Sequence, residues 1–272
     1  MEIKAVQVVL VTGGSSGIGA ATARLLAEAG MTVYAGSRRG TVEKPADRIL
    51  PIRLDVNDEA SVKAAVEQIV GEQGHLDAVV CNAGNGIYGP VEGATDEEAR
   101  YQFETCYFGS LKTIQACLPV FRRQGFGRIV TVTSVMAILQ IPFQGFYSAA
   151  KAALLSLSES LSMELKGTGI ECCSVLPGDV STGFTAARKF TVAAQDPGSP
   201  YRERMDRNLK KIEQDEIGGM APEVIGKAIC KQLKKKHMAI RVIPRIDYGA
   251  VGFLVRILPE RAKLGLLDLL YS

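Results

Sequence analysis

The chain has 272 residues, 47% of them hydrophobic, enough to bury one substantial core without calling for a second domain. Its net charge of +3 comes from basic and acidic residues interleaved along the sequence, which argues against a nucleic-acid partner and leaves the phosphates of a small cofactor as a sufficient anionic ligand. Residues 1–5 run almost directly into the first apolar stretch, so no secretion signal is expected.

Residues 6–11 are an almost unbroken apolar run, the pattern of a parallel strand buried on both faces. A glycine-rich turn, Thr12-Gly13-Gly14-Ser15-Ser16-Gly17-Ile18-Gly19, follows, and residues 20–29 read as helix. Strands are predicted near 32–37 and 49–54, a helix from Asn57 or Asp58, a fourth strand over 77–81, and a long helix from about 96 towards 118, ended by Pro119. A fifth strand over 127–134, a helix over 145–166, a sixth strand over 170–176, a helix over 221–235 and a seventh strand over 239–243 complete the series. This alternation predicts an α/β fold: a doubly wound, seven-stranded parallel sheet with helices on both faces. Ligands in such sheets bind beyond the carboxyl ends of the strands, where Gly13, Asn82 and Ser134 all fall.

Two stretches lie outside this rhythm. Residues 181–220, with Pro197, Pro200 and many charges, are long for a connection and read as a lid. Residues 245–272 form an apolar extension broken by Arg256, Pro259, Glu260, Arg261 and Lys263, too interrupted for the ~20 continuous apolar residues of a membrane span. The extension is expected to pack on the core, close the substrate pocket, meet another subunit or lie on a membrane surface, in that order. The six cysteines contain no C-x-x-C pair and fall mostly in apolar segments, as reduced residues of a cytoplasmic protein do. With only His75 and His237 in the chain, no metal site is expected.

Strand, glycine turn and helix in that order form a phosphate cradle: glycine lets the backbone approach, and the free N–H groups at the helix start attract a pyrophosphate. Tyr147 and Lys151, four residues apart on the helix over 145–166, present a phenol and an ammonium on one face. Taken alone, that pair also fits an amphipathic helix with one aromatic and one solvated base. As acid or base, Tyr147 needs its ordinary pKa near 10 lowered, and a nearby lysine charge supplies part of that. Ser134, thirteen residues earlier at a strand end, offers a hydroxyl to polarise a carbonyl, with Thr133 beside it as the competing hydroxyl. The second strand ends in Ser37-Arg38-Arg39 with no acid before Glu43, so Arg38 favours the extra phosphate of NADP(H) over NAD, the alternative being two ordinary surface charges.

The glycine turn, Leu54-Asp55-Val56, Asn82-Ala83-Gly84, Ser134, Tyr147 with Lys151, and Pro177-Gly178 occur in one order and spacing over roughly the first 180 residues. This constellation resembles the classical short-chain dehydrogenases/reductases, and Asn85 to Gly93 with Ile141-Pro142-Phe143 looks most like their hydroxysteroid and retinol dehydrogenase branch. The resemblance implies a Rossmann-type fold and a Ser134, Tyr147, Lys151 site that interconverts a carbonyl and a secondary alcohol on an apolar, steroid- or lipid-like small molecule. It implies that Gly13, Ser15, Ser16, Gly17, Ile18 and Gly19 hold the pyrophosphate. Asp55 and Val56 would meet the adenine, and Asn82, Ala83 and Gly84 would form the cofactor wall. Lys151 would hold the nicotinamide ribose and lower the tyrosine pKa. Pro177, Gly178, Val180 and Thr182 would fix the carboxamide. Two of these readings keep bland alternatives, since Asp55 also fits a cap on the following turn and Pro177-Gly178 a plain strand-ending turn. Pairing as a homodimer or homotetramer through the long central helices is implied as well. One departure stands out: Cys106 occupies the position where many members carry an asparagine that extends the proton relay, and a thiol cannot do the same polar work. The rival readings are reduction of a 3-oxoacyl thioester and a non-catalytic dinucleotide-sensing scaffold.

Overall fold

The computed structural model describes residues 5–42, 44, 46–244 and 258–271. Its first strand, β1 (Val8–Thr12), is buried along its whole length. Successive side chains of a strand point to opposite faces, so Val8 and Leu10 enter one apolar cluster and Val9 and Val11 another. β2 (Thr32–Ser37), β3 (Ile49–Arg53), β4 (Ala78–Cys81), β6 (Gly127–Val132), β7 (Ile170–Val175) and β9 (Arg241–Val242) join it in the order β3-β2-β1-β4-β6-β7-β9, all parallel. The predicted seven-stranded sheet is therefore present, its last strand shorter than expected.

Helices cover both faces because both faces are apolar. α1 (Gly17–Glu28) and α8 (Pro222–Lys234) bury Ala23, Leu26, Ile225 and Ile229 against one side. Gly226 permits their close approach, since a Cβ there would lie 2.7 Å from Leu25 Cδ1. On the other side, α2 (Glu59–Gln73), α4 (Gly109–Gln124) and α5 (Gly145–Glu164) contribute Val62, Ile69, Ile114, Phe121 and Leu161. Each such side chain, removed from water, stabilises the fold by about 1.5–3 kcal/mol.

The long central helix departs from expectation. α3 (Asp96–Phe103), started by a Thr95–Glu98 capping box, passes through a π-helical turn at Glu104–Phe108 into α4, which runs through Pro119 and ends only at Gly125, where φ is 64°. A proline inside a helix costs ~3 kcal/mol. The turn beyond it buries Val120 and Phe121, and that burial is of the same size and opposite sign.

The region 181–220 is structured. β5 (Ile87–Tyr88) pairs in parallel with β8 (Lys189–Phe190), and α6 (Val192–Gln195) and α7 (Arg202–Ile217) follow. Tyr88 anchors this layer from below, its hydroxyl 2.8 Å from the Met205 carbonyl and 3.0 Å from Asn208 Oδ1. Of the C-terminal extension, residues 245–257 lie outside the described residues. The rest carries α9 (Glu260–Tyr271), which rests on α7 through an Arg204–Asp268 ion pair and a hydrogen bond from the Asn208 side chain to the Tyr271 carbonyl. Leu264, Leu266, Leu269 and Leu270 remain exposed. Among the described residues no helix is long and apolar enough to cross a membrane.

Phe121→Ala should lower unfolding free energy in urea by about 3–5 kcal/mol, because the ring is fully buried and packs on the bare backbone of Gly127, where a Cβ would fall 2.3 Å from Phe121 Cγ. A loss below about 1 kcal/mol would contradict this account of why α4 continues past its proline.

Candidate active site

The carboxyl ends of the strands open into a cleft of about 450 Å³. Its floor starts at the glycine turn, where Gly13 (φ 64°) and Gly17 (φ 52°) adopt the left-handed backbone that favours glycine. Asn82 Nδ2, beyond the end of β4, donates to the carbonyls of Thr12 (3.0 Å) and Gly13 (3.3 Å). Thr12 Oγ1 in turn accepts from the backbone N–H groups of Asn82 (3.0 Å) and Ala83 (3.1 Å). A Cβ on Gly19 would lie 2.1 Å from the Gly13 carbonyl oxygen and 2.6 Å from Asn82 Nδ2, so glycine there is a packing requirement. Ser16 is the N-cap residue of α1, yet its hydroxyl makes no capping hydrogen bond. The leading N–H groups of the helix are thereby left for an anion.

Arg38, exposed at the end of β2, lines the same end of the cleft as Gly13, Ser16, Gly17 and Ile18. Ala83, Gly84, Pro177, Gly178, Val180 and Thr182 border it too. Thr182 faces the turn, its Cβ 3.4 Å from the place a Gly17 Cβ would take, and its Oγ1 accepts from the Phe184 N–H. Val180 pairs with Met220 through the backbone. Ser15, Gly19, Asp55 and Val56 do not line the cleft. Asp55 Oδ1 accepts from the Asn57 N–H at 3.0 Å, the turn-capping alternative, and Val56 packs on Gly109.

Ser134, Tyr147 and Lys151 meet further along. Ser134, two residues past the end of β6, is in extended backbone, its Oγ accepting from the Met136 N–H at 3.1 Å and close enough to Tyr147 to act on its pKa. Thr133 Oγ1 donates instead to the Val175 carbonyl (3.2 Å), so strand register separates the two competing hydroxyls. Lys151, nearly fully buried, donates from Nζ to the Val132 carbonyl at 3.0 Å and lies 5.7 Å from the Tyr147 ring centroid. Burial pushes the Tyr147 phenol up from its ordinary value. Cys106 and Glu216 act the same way, while the Ser134 hydrogen bond and the Arg188 charge oppose them. Lys151 is not among the causes, and the net direction is opposite to the lowering expected from sequence. Tyr147 is therefore a protonated group at neutral pH, suited to donate.

Cys106 lies in the π-helical turn, fully buried, with Gln102 Nε2 at 3.1 Å and the Asn85 carbonyl and Oδ1 each at 3.4 Å from its sulfur. A Cβ on Gly84 would sit 3.6 Å from both Cys106 Sγ and Lys151 Nζ, so polar amides stand behind the lysine where the thiol alone is weak. Sequence reasoning missed Gln102, Gln144, Phe184, Arg188 and Glu216. Phe184 packs against Tyr147 with ring centroids 5.7 Å apart and planes tilted by 60°, and passes over Gly86, where a Cβ would come within 2.8 Å of the ring. Gly86 and the aromatic in the lid were the signals that could have shown it. Both histidines stand at the amino-terminal ends of the strands, opposite the cleft, His75 against Asp77 before β4 and His237 against Glu171 at the start of β7, far from any role as base here.

Residues 7–192 match a family model described as short chain dehydrogenase. A 3-ketodihydrosphingosine reductase of Bacteroides thetaiotaomicron is 40% identical over 265 residues, covering 96% of this chain and 94% of that protein. Among solved structures, a short-chain dehydrogenase/reductase of Burkholderia phymatum in complex with NAD has TM-score 0.79 at 22% identity and covers 98% of this chain and 97% of that one. A short chain dehydrogenase of Burkholderia cenocepacia in complex with NADP has TM-score 0.74 at 26% identity and covers 97% of each.

Because the fold holds Tyr147 in its protonated form, the difference in absorbance titration between wild type and Tyr147→Phe should show no phenolate appearing near pH 10, where an unperturbed tyrosine ionises. The linkage has a definite sign: the native state keeps a proton that the unfolded chain loses, so this group's contribution to stability is full below about pH 10 and is lost as pH rises towards the native value.

Proposed function

The chain belongs to the short-chain dehydrogenase family, oxidoreductases of carbonyl and CH–OH groups, and on that premise we propose that it is an NADP(H)-dependent reductase of a ketone on a lipid-like chain. The observation that carries the reading is the convergence of Ser134, Tyr147 and Lys151 on one cleft whose other end is the glycine turn and Arg38. The residues fit a dinucleotide phosphate: an uncapped helix start for the pyrophosphate, an exposed guanidinium for the extra phosphate, and Thr182 opposite the turn for the carboxamide. When bound, the dinucleotide supplies hydride to the carbonyl carbon.

The protein's own residues do the rest. Ser134 donates a hydrogen bond to the substrate oxygen, and Tyr147, kept neutral by burial, passes its proton to that oxygen as negative charge develops. Lys151, fixed by the Val132 carbonyl, lies beside the tyrosine, where it holds the ribose hydroxyls. Val135, Met136, Phe184 and Ala187 give the substrate end an apolar wall, which supports a lipid-like substrate, as does the 3-ketodihydrosphingosine named for the Bacteroides relative. In this reading residues 181–220 act as the lid of a one-domain protein. Free thiols at all six cysteines support a cytoplasmic setting, and exposed Phe108 and Met163 support pairing through the central helices.

Two measurements test this reading. Tyr147→Phe should lower NADPH-dependent reduction of a long-chain ketone by about 10²–10⁴-fold while leaving NADPH binding within a few-fold, and unchanged turnover would remove Tyr147 as the acid. Arg38→Ala should weaken NADPH binding by roughly 10–100-fold, the worth of a charge-assisted phosphate contact, with a much smaller effect on NADH. Equal losses for the two dinucleotides would overturn the phosphate assignment.

A further inference from the structure

One stretch departs from the interleaving of charge found along the rest of the chain. Residues 227–236 carry five lysines and no acid, a local charge of +5 in a chain whose net charge is +3. Lys227, Lys231, Lys234 and Lys235 line a hollow of about 630 Å³ between the last turn of α1 and the second half of α8. Steps of three and four along α8 put these lysines on one face of the helix. Leu25, Ala29 and Cys230 supply the apolar part of the lining. Val224, one turn before Lys227, continues the face and is exposed.

Other helices pair their exposed cations one turn away, as in Lys63–Glu59 on α2, Arg100–Asp96 on α3 and Arg202–Asp206 on α7. On α8 that arrangement is missing. The nearby acids Glu28 and Glu223 both turn to Arg24, and among the described residues none of the four lysines forms an ion pair. The helix dipole favours Lys231 and Lys234 in the last turn, but it accounts neither for Lys227 nor for the apolar lining. Like charges one turn apart repel, so helix stability does not explain the face either.

Charge calls for an anionic occupant, and the mixture of groups selects which one. The hollow is lined by no arginine and no aromatic ring, the side chains with which nucleic-acid sites grip phosphates and stack bases. A second copy of the chain would set lysines against lysines. Apolar side chains among lysines suit the boundary between lipid headgroups and acyl chains, where long lysine stems lie along apolar surface and their ammoniums reach the phosphates.

We propose that this face of α8 docks the protein peripherally on an anionic membrane surface. The cleft stays open in this arrangement. α1 starts at the cleft with Gly17, α8 starts two residues after Met220, the backbone partner of Val180 in the cleft wall, and the hollow lies at the other ends of both helices. The docking goes beyond the reductase reading and does not depend on it.

The test sediments the full chain with vesicles of phosphatidylcholine alone and with vesicles containing about 40% phosphatidylglycerol. Wild type should bind only the anionic vesicles and should be released as salt rises. Replacing three lysines together, Lys227→Gln, Lys231→Gln and Lys234→Gln, should weaken binding roughly 100-fold with an unchanged circular dichroism spectrum, because each lysine near an anionic surface contributes about fivefold. Lys231→Gln alone, expected to weaken binding about fivefold, decides the question if the triple variant fails to fold. Absence of wild-type binding, equal binding to both vesicles, or undiminished binding by the folded variants overturns the proposal. Duplex DNA bound as tightly as the anionic vesicles overturns it too, in favour of a nucleic-acid face.

Discussion

The side chain of Asn82 is the fastening on which the rest of the site depends. Its amide spans two adjacent strands, β1 and β4, and ties the carbonyls of Thr12 and Gly13 to the end of the latter, while Thr12 returns two hydrogen bonds to the backbone at 82 and 83. A glycine-rich turn is entropically loose by itself. Clamped in this way, it has one conformation, and the start of α1 is aimed into the cleft before any ligand arrives. The absence of a Cβ at Gly19 is the other half of the same contact, because the amide and the Gly13 carbonyl occupy that volume.

At the other end of the cleft, burial sets the electrostatics. Lys151 is held under the surface by a single backbone acceptor, Val132, at the end of the strand that also delivers Ser134. The end of one strand therefore positions both the Ser134 hydroxyl and the Lys151 side chain. The low dielectric that raises the Tyr147 pKa also strengthens every hydrogen bond aimed at a substrate oxygen there. The amides of Gln102 and Asn85 surround Cys106, so the polar environment behind the lysine comes from neighbours of the helix turn and not from the residue within it.

The sheet was legible because its signal is long and redundant: apolar runs such as residues 6–11 can be satisfied in few ways other than a doubly covered parallel strand. The glycine turn and the Tyr147–Lys151 pair were legible because their chemistry depends on local spacing. What escaped depends on contacts distant in sequence. Pro119 carries a local stop signal that the burial of Val120 and Phe121 outweighs. Arg188 and Glu216 look like two more charges in a charged stretch until folding brings them together over 28 positions. The direction of the Tyr147 shift was misjudged for the same reason, since the sequence shows the neighbouring cation but not the depth at which the ring sits.

The short parallel ladder between β5 and β8 divides the covering layer into a fastened part and a spanning part. Backbone bonds from Ser181 to Met220 and from Lys189 to Gly86, each 3.0 Å, fix the two ends of a span of only a few residues that carries Phe184 across the mouth. A tether that short, pinned twice, has little travel, so the girth of an entering molecule is governed by the length of this span and the bulk of its one aromatic ring. Lengthening or trimming it would retune which chains are admitted while the dinucleotide end stays as it is.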